Sequence, residues 1–142
     1  MLDVIAQHLR DTALELDSVE IVESVEQMAD ATGRATGAAF VVPFRERAKA
    51  NSRTTGGHLQ EVTVQYLVAF LVRNYADDTG AARVSQFDRF KTDIEAALAG
   101  WQPDEANDPF ELVTGESTGL GNGVSLYVQT WETSRFLTGG HQ

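Results

Sequence analysis

Residues 62–73 carry an unbroken apolar row at every second position. Val62, Val64, Tyr66, Val68, Phe70 and Val72 fall on one face of an extended chain, and Leu67, Ala69 and Leu71 make the other face apolar too. A strand apolar on both sides belongs in the middle of a sheet, with helix on one face and a further layer or subunit on the other. Ahead of it, residues 38–44 read as a strand with Phe40, Val42 and Phe44 on one side. Pro43 has no N–H to give to a ladder, so it is expected near an edge or at the strand's end. Between the two strands runs a polar, basic stretch, RERAKANSRTTGG.

Helical spacing occupies two other stretches. Leu2, Ile5, Leu9 and Leu16, with Ala6 and Ala13, predict an amphipathic helix over 2–16. Val84, Phe87, Phe90, Ile94, Ala97 and Leu98 form a stripe at three- and four-residue spacing, read as core. Tyr75 to Gly80 is a turn in which Asp78 or Thr79 could cap that helix, Gly100 stops it, and Pro103 follows. Val19 and Ile21 suggest a short strand, with a turn of helix near residues 26–31.

The last quarter reads as β-structure. Phe110, Leu112 and Val113 begin one strand, and Val124, Leu126, Val128 and Thr130 line the next. The intervening Gly119-Leu120-Gly121-Asn122-Gly123 resembles a phosphate loop only superficially. A phosphate cradle opens a helix, whereas here Asn-Gly leads into alternating strand residues, the signal of a hairpin. The order is helix, strand, short helix, strand, strand, helix, strand, strand. It predicts an α+β fold: a mainly antiparallel sheet with two longer helices packed on one face. Residues 1–142 show no repeat or low-complexity linker and are expected to form a single domain.

Charge changes this picture. The net charge is −10, but residues 1–30 hold eight acids and one base, while 104–142 hold six acids and one base. Residues 31–103 carry seven acids and nine bases. Such a balance argues against general nucleic-acid binding, which needs Lys and Arg to displace counterions. The acids read as a solvated, solubilising face, or as a surface that DNA passes without sticking. No apolar run is long enough to span a membrane, and the charged start MLDVIAQHLRD is not expected to act as a signal peptide. The chain has no cysteine, which removes disulfides, thiolate metal sites and cysteine nucleophiles and fits a reducing cytoplasm.

Catalytic chemistry finds little purchase. His8, His58 and His141 share no metal-ligand spacing. No nucleophile elbow precedes a helix. Glu61 and Glu132, on or beside strands, are the only weak candidates for a buried general acid. No catalysis, cofactor or metal is expected.

The basic stretch is different. Arg45, Arg47, Lys49 and Arg53 are four of eleven basic residues in the chain, with only Glu46 among them. A loop this long between core strands is usually functional or disordered. It reads either as an idle hairpin tip or as a protruding β-hairpin arm that orders on an acidic partner, such as a neighbouring copy. Trp101 is expected to be partly buried, against the end of the 80–99 helix or against a neighbour.

These residues, in this order, resemble the tail terminator proteins of tailed bacteriophages and Mu-like prophages. The matching stretches are AAFVVPFRERAKAN, the Gly-Gly before QEVTVQYLVAFLVRN, the D-x-T-G-A turn, the helix closing in ALAGWQPD, and QTWETSRFL. Residues 1–35 match least. The resemblance implies a structural protein that forms a hexameric ring on the end of the tail tube, stops its polymerisation and faces the head-side connector. Implied partners are further copies of the chain, the tube protein, the connector or head-closure protein and, as a further candidate, the tail sheath. DNA would pass through the lumen without specific binding, and no membrane is involved. The location implied is the tail–neck junction of the virion, with the host cytoplasm during assembly. Two other readings stay open: another neck component, and a small α+β enzyme or ligand-binding domain.

Overall fold

The computed structural model describes residues 1–29, 33–73, 80–121 and 123–139, with the side chains of 80–84 left aside. The elements are α1 (Leu2–Thr12), β1 (Ser18–Ile21), α2 (Val25–Ala29), β2 (Ala38–Ala48), β3 (Leu59–Arg73), α3 (Gly80–Leu98), β4 (Glu111–Gly121) and β5 (Val124–Thr138). They build an α+β fold on one five-stranded sheet of order β1-β2-β3-β5-β4. Only β1 and β2 run parallel; every other pairing is antiparallel. The strand that is apolar on both sides, β3, lies in the middle.

Alternation along β3 sorts its side chains into two layers. Val62, Val64, Tyr66, Val68, Phe70 and Val72 face both longer helices and pack against Ile5, Ala6 and Leu9 of α1 and Phe90, Ile94 and Leu98 of α3. Phe70 meets Phe90, Phe87 and Tyr127 with ring centroids 5.5, 5.7 and 5.5 Å apart. Each fully buried side chain of this size contributes about 1.5–3 kcal/mol, so the helix face dominates the stability of the fold. Gln129, fully buried there, accepts from the Trp131 indole N–H and donates to Glu95 of α3, at 3.1 and 2.9 Å. That bridge satisfies polar groups whose burial would otherwise cost about 1–3 kcal/mol.

The opposite face is covered over one end only. Met28 of the short α2 packs with Phe40, Val42, Leu67, Ala69, Leu71 and Leu126. A five-residue helix cannot roof a sheet of this size, and among the described residues Phe44 and Val113 stay nearly half exposed on that face.

Several boundaries differ from the sequence reading, among them the start of β3 at Leu59 rather than 62. The first helix ends at Thr12 rather than 16: Ala13 leaves the helical region at φ −93°, ψ 72°, and the Thr12 hydroxyl bonds the His8 carbonyl at 2.6 Å. Leu16 still packs on the core beyond that end. The second strand continues past Phe44 to Ala48, because a bulge between Pro43 and Arg45 absorbs one residue and pairing resumes as Arg45↔Gln65 through Ala48↔Val62. Pro43 sits where β1 has already ended, on a free edge of β2. The short helix spans Val25–Ala29.

Gly119 and Gly121 belong to the β4–β5 hairpin, closed as Gly121↔Val124, so no phosphate loop forms there. Asn122 lies outside the described residues, as do residues 75–79 with the Asp78 or Thr79 cap. Gly100 stops α3 in a left-handed conformation at φ 78°.

Candidate assembly surface

Past Tyr66 the ends of β2, β3 and β5 continue as a three-stranded extension, whose base keeps Val62 and Val64 buried on the helix face. Its ladder runs from Arg45↔Gln65 to Ala48↔Val62 on one side and from Leu59↔Thr138 to Val64↔Thr133 on the other. The loop at its tip is tied to the strands. Asn51 Oδ1 accepts from the backbone N–H groups of Leu59 and Arg53 at 2.8 and 3.2 Å, and Gln60 donates to the Lys49 carbonyl at 2.8 Å. The arm therefore leaves the core as sheet.

The four basic residues occupy it differently. Arg45 and Arg47 stand on the open face of the sheet and line a polar hollow with Thr63, Gln65 and Glu132. Arg45 Nε donates to Gln65 Oε1 at 2.7 Å, and Gln65 donates to Glu132 at 2.8 Å, so one polar row crosses three strands. The Arg45 guanidinium also lies 5.0 Å from the Phe44 ring centroid. Lys49 pairs with Glu61 at 3.0 Å, with its own side chain 70% exposed. Such a pair is worth at most about 1 kcal/mol. Arg47 and Arg53 are exposed and make no ion pair among the described residues. On the helix face of the same arm, Glu46 pairs with Arg135 at 3.2 Å.

Trp101 sits elsewhere, on the helix side, partly buried against the main core. It lies just past the end of α3, as the sequence predicts, but its flat contact is with His8 of α1. The structure brings Arg45 and Arg47 together, places Lys49 and Arg53 toward the tip, and keeps Trp101 apart from all four.

The sequence reading missed the open face between arm and α2. There Leu67, Leu126 and Val128 floor a groove of about 520 Å³. Val25 of α2 and Phe44 wall one side, and Val113, Glu116 and Leu120 of β4 the other. Val25, Phe44 and Val113 are 49%, 48% and 43% exposed, unusual for apolar residues gathered in one place. The sequence signal was the second apolar row of β3, which asks for a covering layer on that face.

The catalytic candidates are engaged in surface contacts. Glu61 holds Lys49 and Glu132 accepts from Gln65. His58 contacts Gln60 at 2.6 Å, and His8 is taken up by Trp101. Burial raises the Tyr66 phenol above its ordinary range, and the Glu46 carboxylate adds to the effect.

No curated protein matches the chain by sequence. Among solved structures, a chain of the "Virion of native gene transfer agent (GTA) particle" is similar in fold, with a TM-score of 0.55 at 10% identity, covering 94% of this chain and 92% of that one. Likeness at that identity speaks to the fold alone. Residues 2–140, nearly the whole chain, match the family described as phage tail terminator protein. The chain belongs to the phage tail terminator family and is a structural protein of the phage tail.

Proposed function

We propose that this chain forms a six-membered ring on the head-proximal end of the tail tube, stops tube polymerisation and joins the tail to the head-side connector. The observation that carries this reading is the family match over residues 2–140. The surface supports it physically. A ring needs two different, complementary patches on each copy, and this chain carries a basic arm at one end of its sheet and an acidic β4 at the edge.

The exposed acids suit a conduit. With a net charge of −10, the ring lumen would repel phosphates, so DNA slides through without specific binding. Its partners are then other copies, the tube protein and the connector or head-closure protein, and its place is the neck of the virion, reached after assembly in the host cytoplasm. Arg45, Arg47, Lys49, Arg53 and Trp101 remain the residues proposed for protein contacts. No step calls for a reactive side chain.

The test is tail length. Lysates lacking this chain should contain overlong tubes without heads. Tubes of normal length that merely fail to join heads would instead assign the chain to another neck component.

A further inference from the structure

The groove and the far end of the arm lie on one molecule but cannot meet within it, although Arg45 at the base of the arm lines the groove. Phe136, exposed on the arm, is eight residues along β5 from Val128 in the groove floor, about 26 Å in an extended strand. Arm and floor are also parts of the same paired strands, so no hinge among the described residues folds one onto the other.

The two surfaces are nonetheless complementary. On its open face the arm offers Phe136, 46% exposed, beside the cations Arg47 and Lys49, with Arg53 nearer the tip; Leu137 points to the other face. The groove offers an apolar floor with Glu116 in its β4 wall and Arg45 at its arm end; the Glu111↔Glu132 pair lies four rungs from Glu116, toward the arm. Apolar burial would supply attraction, and opposite charges would set orientation and reject wrong partners.

We propose that the groove on the open sheet face receives the arm of a second copy of this chain, with Phe136 in the groove and the arm's cations against Glu111 and Glu116. This rests on the ring reading and names the contact that builds the ring. Donor and acceptor patches differ and sit at different ends of the sheet, so the contact is head-to-tail and repeats around a closed ring. The same contact would cover the exposed rim residues Val25, Phe44 and Val113.

The cysteine-free sequence makes the test clean. Phe136→Cys and Val113→Cys chains, each checked for an unchanged thermal midpoint, are mixed on tail tubes and oxidised. The mixture should give a disulfide-linked dimer that neither variant gives alone, and the double variant a ladder ending at the closed ring. Glu116→Lys should lower the linked yield by about tenfold or more, and reversing Arg47, Lys49 and Arg53 to Glu in the donor should recover it. Copies that assemble on the tube without linking 136 to 113 would overturn the groove contact and leave the ring intact. Copies that never associate would remove both, and a tube subunit linked to residue 113 would show that the tube protein fills the groove.

Discussion

His8 and Trp101 stack face to face, with ring centroids 3.8 Å apart and planes 1° from parallel. The His8 Nε2–H donates to the Ala97 carbonyl at 2.8 Å, because that carbonyl can only accept. Phe110 also lies 5.8 Å from Trp101, at 12°. Three rings thus join α1, the end of α3 and the start of β4.

Truncating Trp101 should loosen this junction. Trp101→Ala is expected to cost about 2 kcal/mol in denaturant unfolding, less than a fully buried Trp because the ring is only partly enclosed. A double-mutant cycle with His8→Ala should show coupling of about 0.5–1.5 kcal/mol. Additive effects would mean that the stack is contact without energy.

Gly115 faces the Tyr127 ring across the β4–β5 pair. A Cβ there would collide with the Tyr127 hydroxyl and come within 3.0 Å of its Cζ. The ring cannot swing freely, since it packs on Phe87 at 4.7 Å. Gly115→Ala should therefore destabilise the fold by about 1–3 kcal/mol, measured by thermal unfolding. In a Tyr127→Phe background the same change should cost less. Equal costs in both backgrounds would point to the strand backbone instead.

Tyr66 gives a prediction at high pH. Burial holds its phenol above the ordinary value of 10.0, with Glu46 adding to the shift and Arg135 opposing it. The raised pKa favours the neutral form in the fold. Its stabilisation is complete below the unfolded value of 10.0 and is lost as pH rises through the higher folded value. Tyrosinate absorbance of the folded protein should show a late component that Tyr66→Phe removes. A component that persists in the variant would assign it to another tyrosine.

Much of the fold was legible because local patterns and tertiary packing agree. The double apolar row of β3 announced a central strand, and the Phe87–Leu98 stripe announced α3. The strand at Arg45–Ala48 was hidden because Arg-Glu-Arg-Ala has no apolar side to alternate with, and an exposed strand then reads like a loop. The groove was hidden for another reason. Val25, Phe44, Leu67 and Val113 are far apart in sequence and meet only through the β1-β2-β3-β5-β4 order. Of the proposed contact residues, the basic run of the arm could be read directly. The partner that Trp101 stacks on, His8, could not, because nothing local ties α1 to the end of α3.

Charge reversal of the arm separates folding from assembly. Replacing Arg45, Arg47, Lys49 and Arg53 by Glu removes the exposed pair with Glu61 and the part-buried bond to Gln65, itself a buried residue. The exposed pair is worth about 0.5 kcal/mol and the part-buried bond to Gln65 about 1 kcal/mol. The variant should fold with a nearly wild-type thermal midpoint yet fail to complete tails, because like charges across an interface cost several kcal/mol. Raised salt should weaken assembly of the wild type as well. A folded variant that completes tails of normal length would make the arm an idle tip.

The most direct measurement is electron cryomicroscopy of completed tails, centred on the end of the tube nearest the head. The account predicts one ring of six copies of this chain seated on the last tube layer, with tubes overlong where the ring is missing. A ring of another symmetry, or copies found along the tube or only on the head side of the junction, would contradict it.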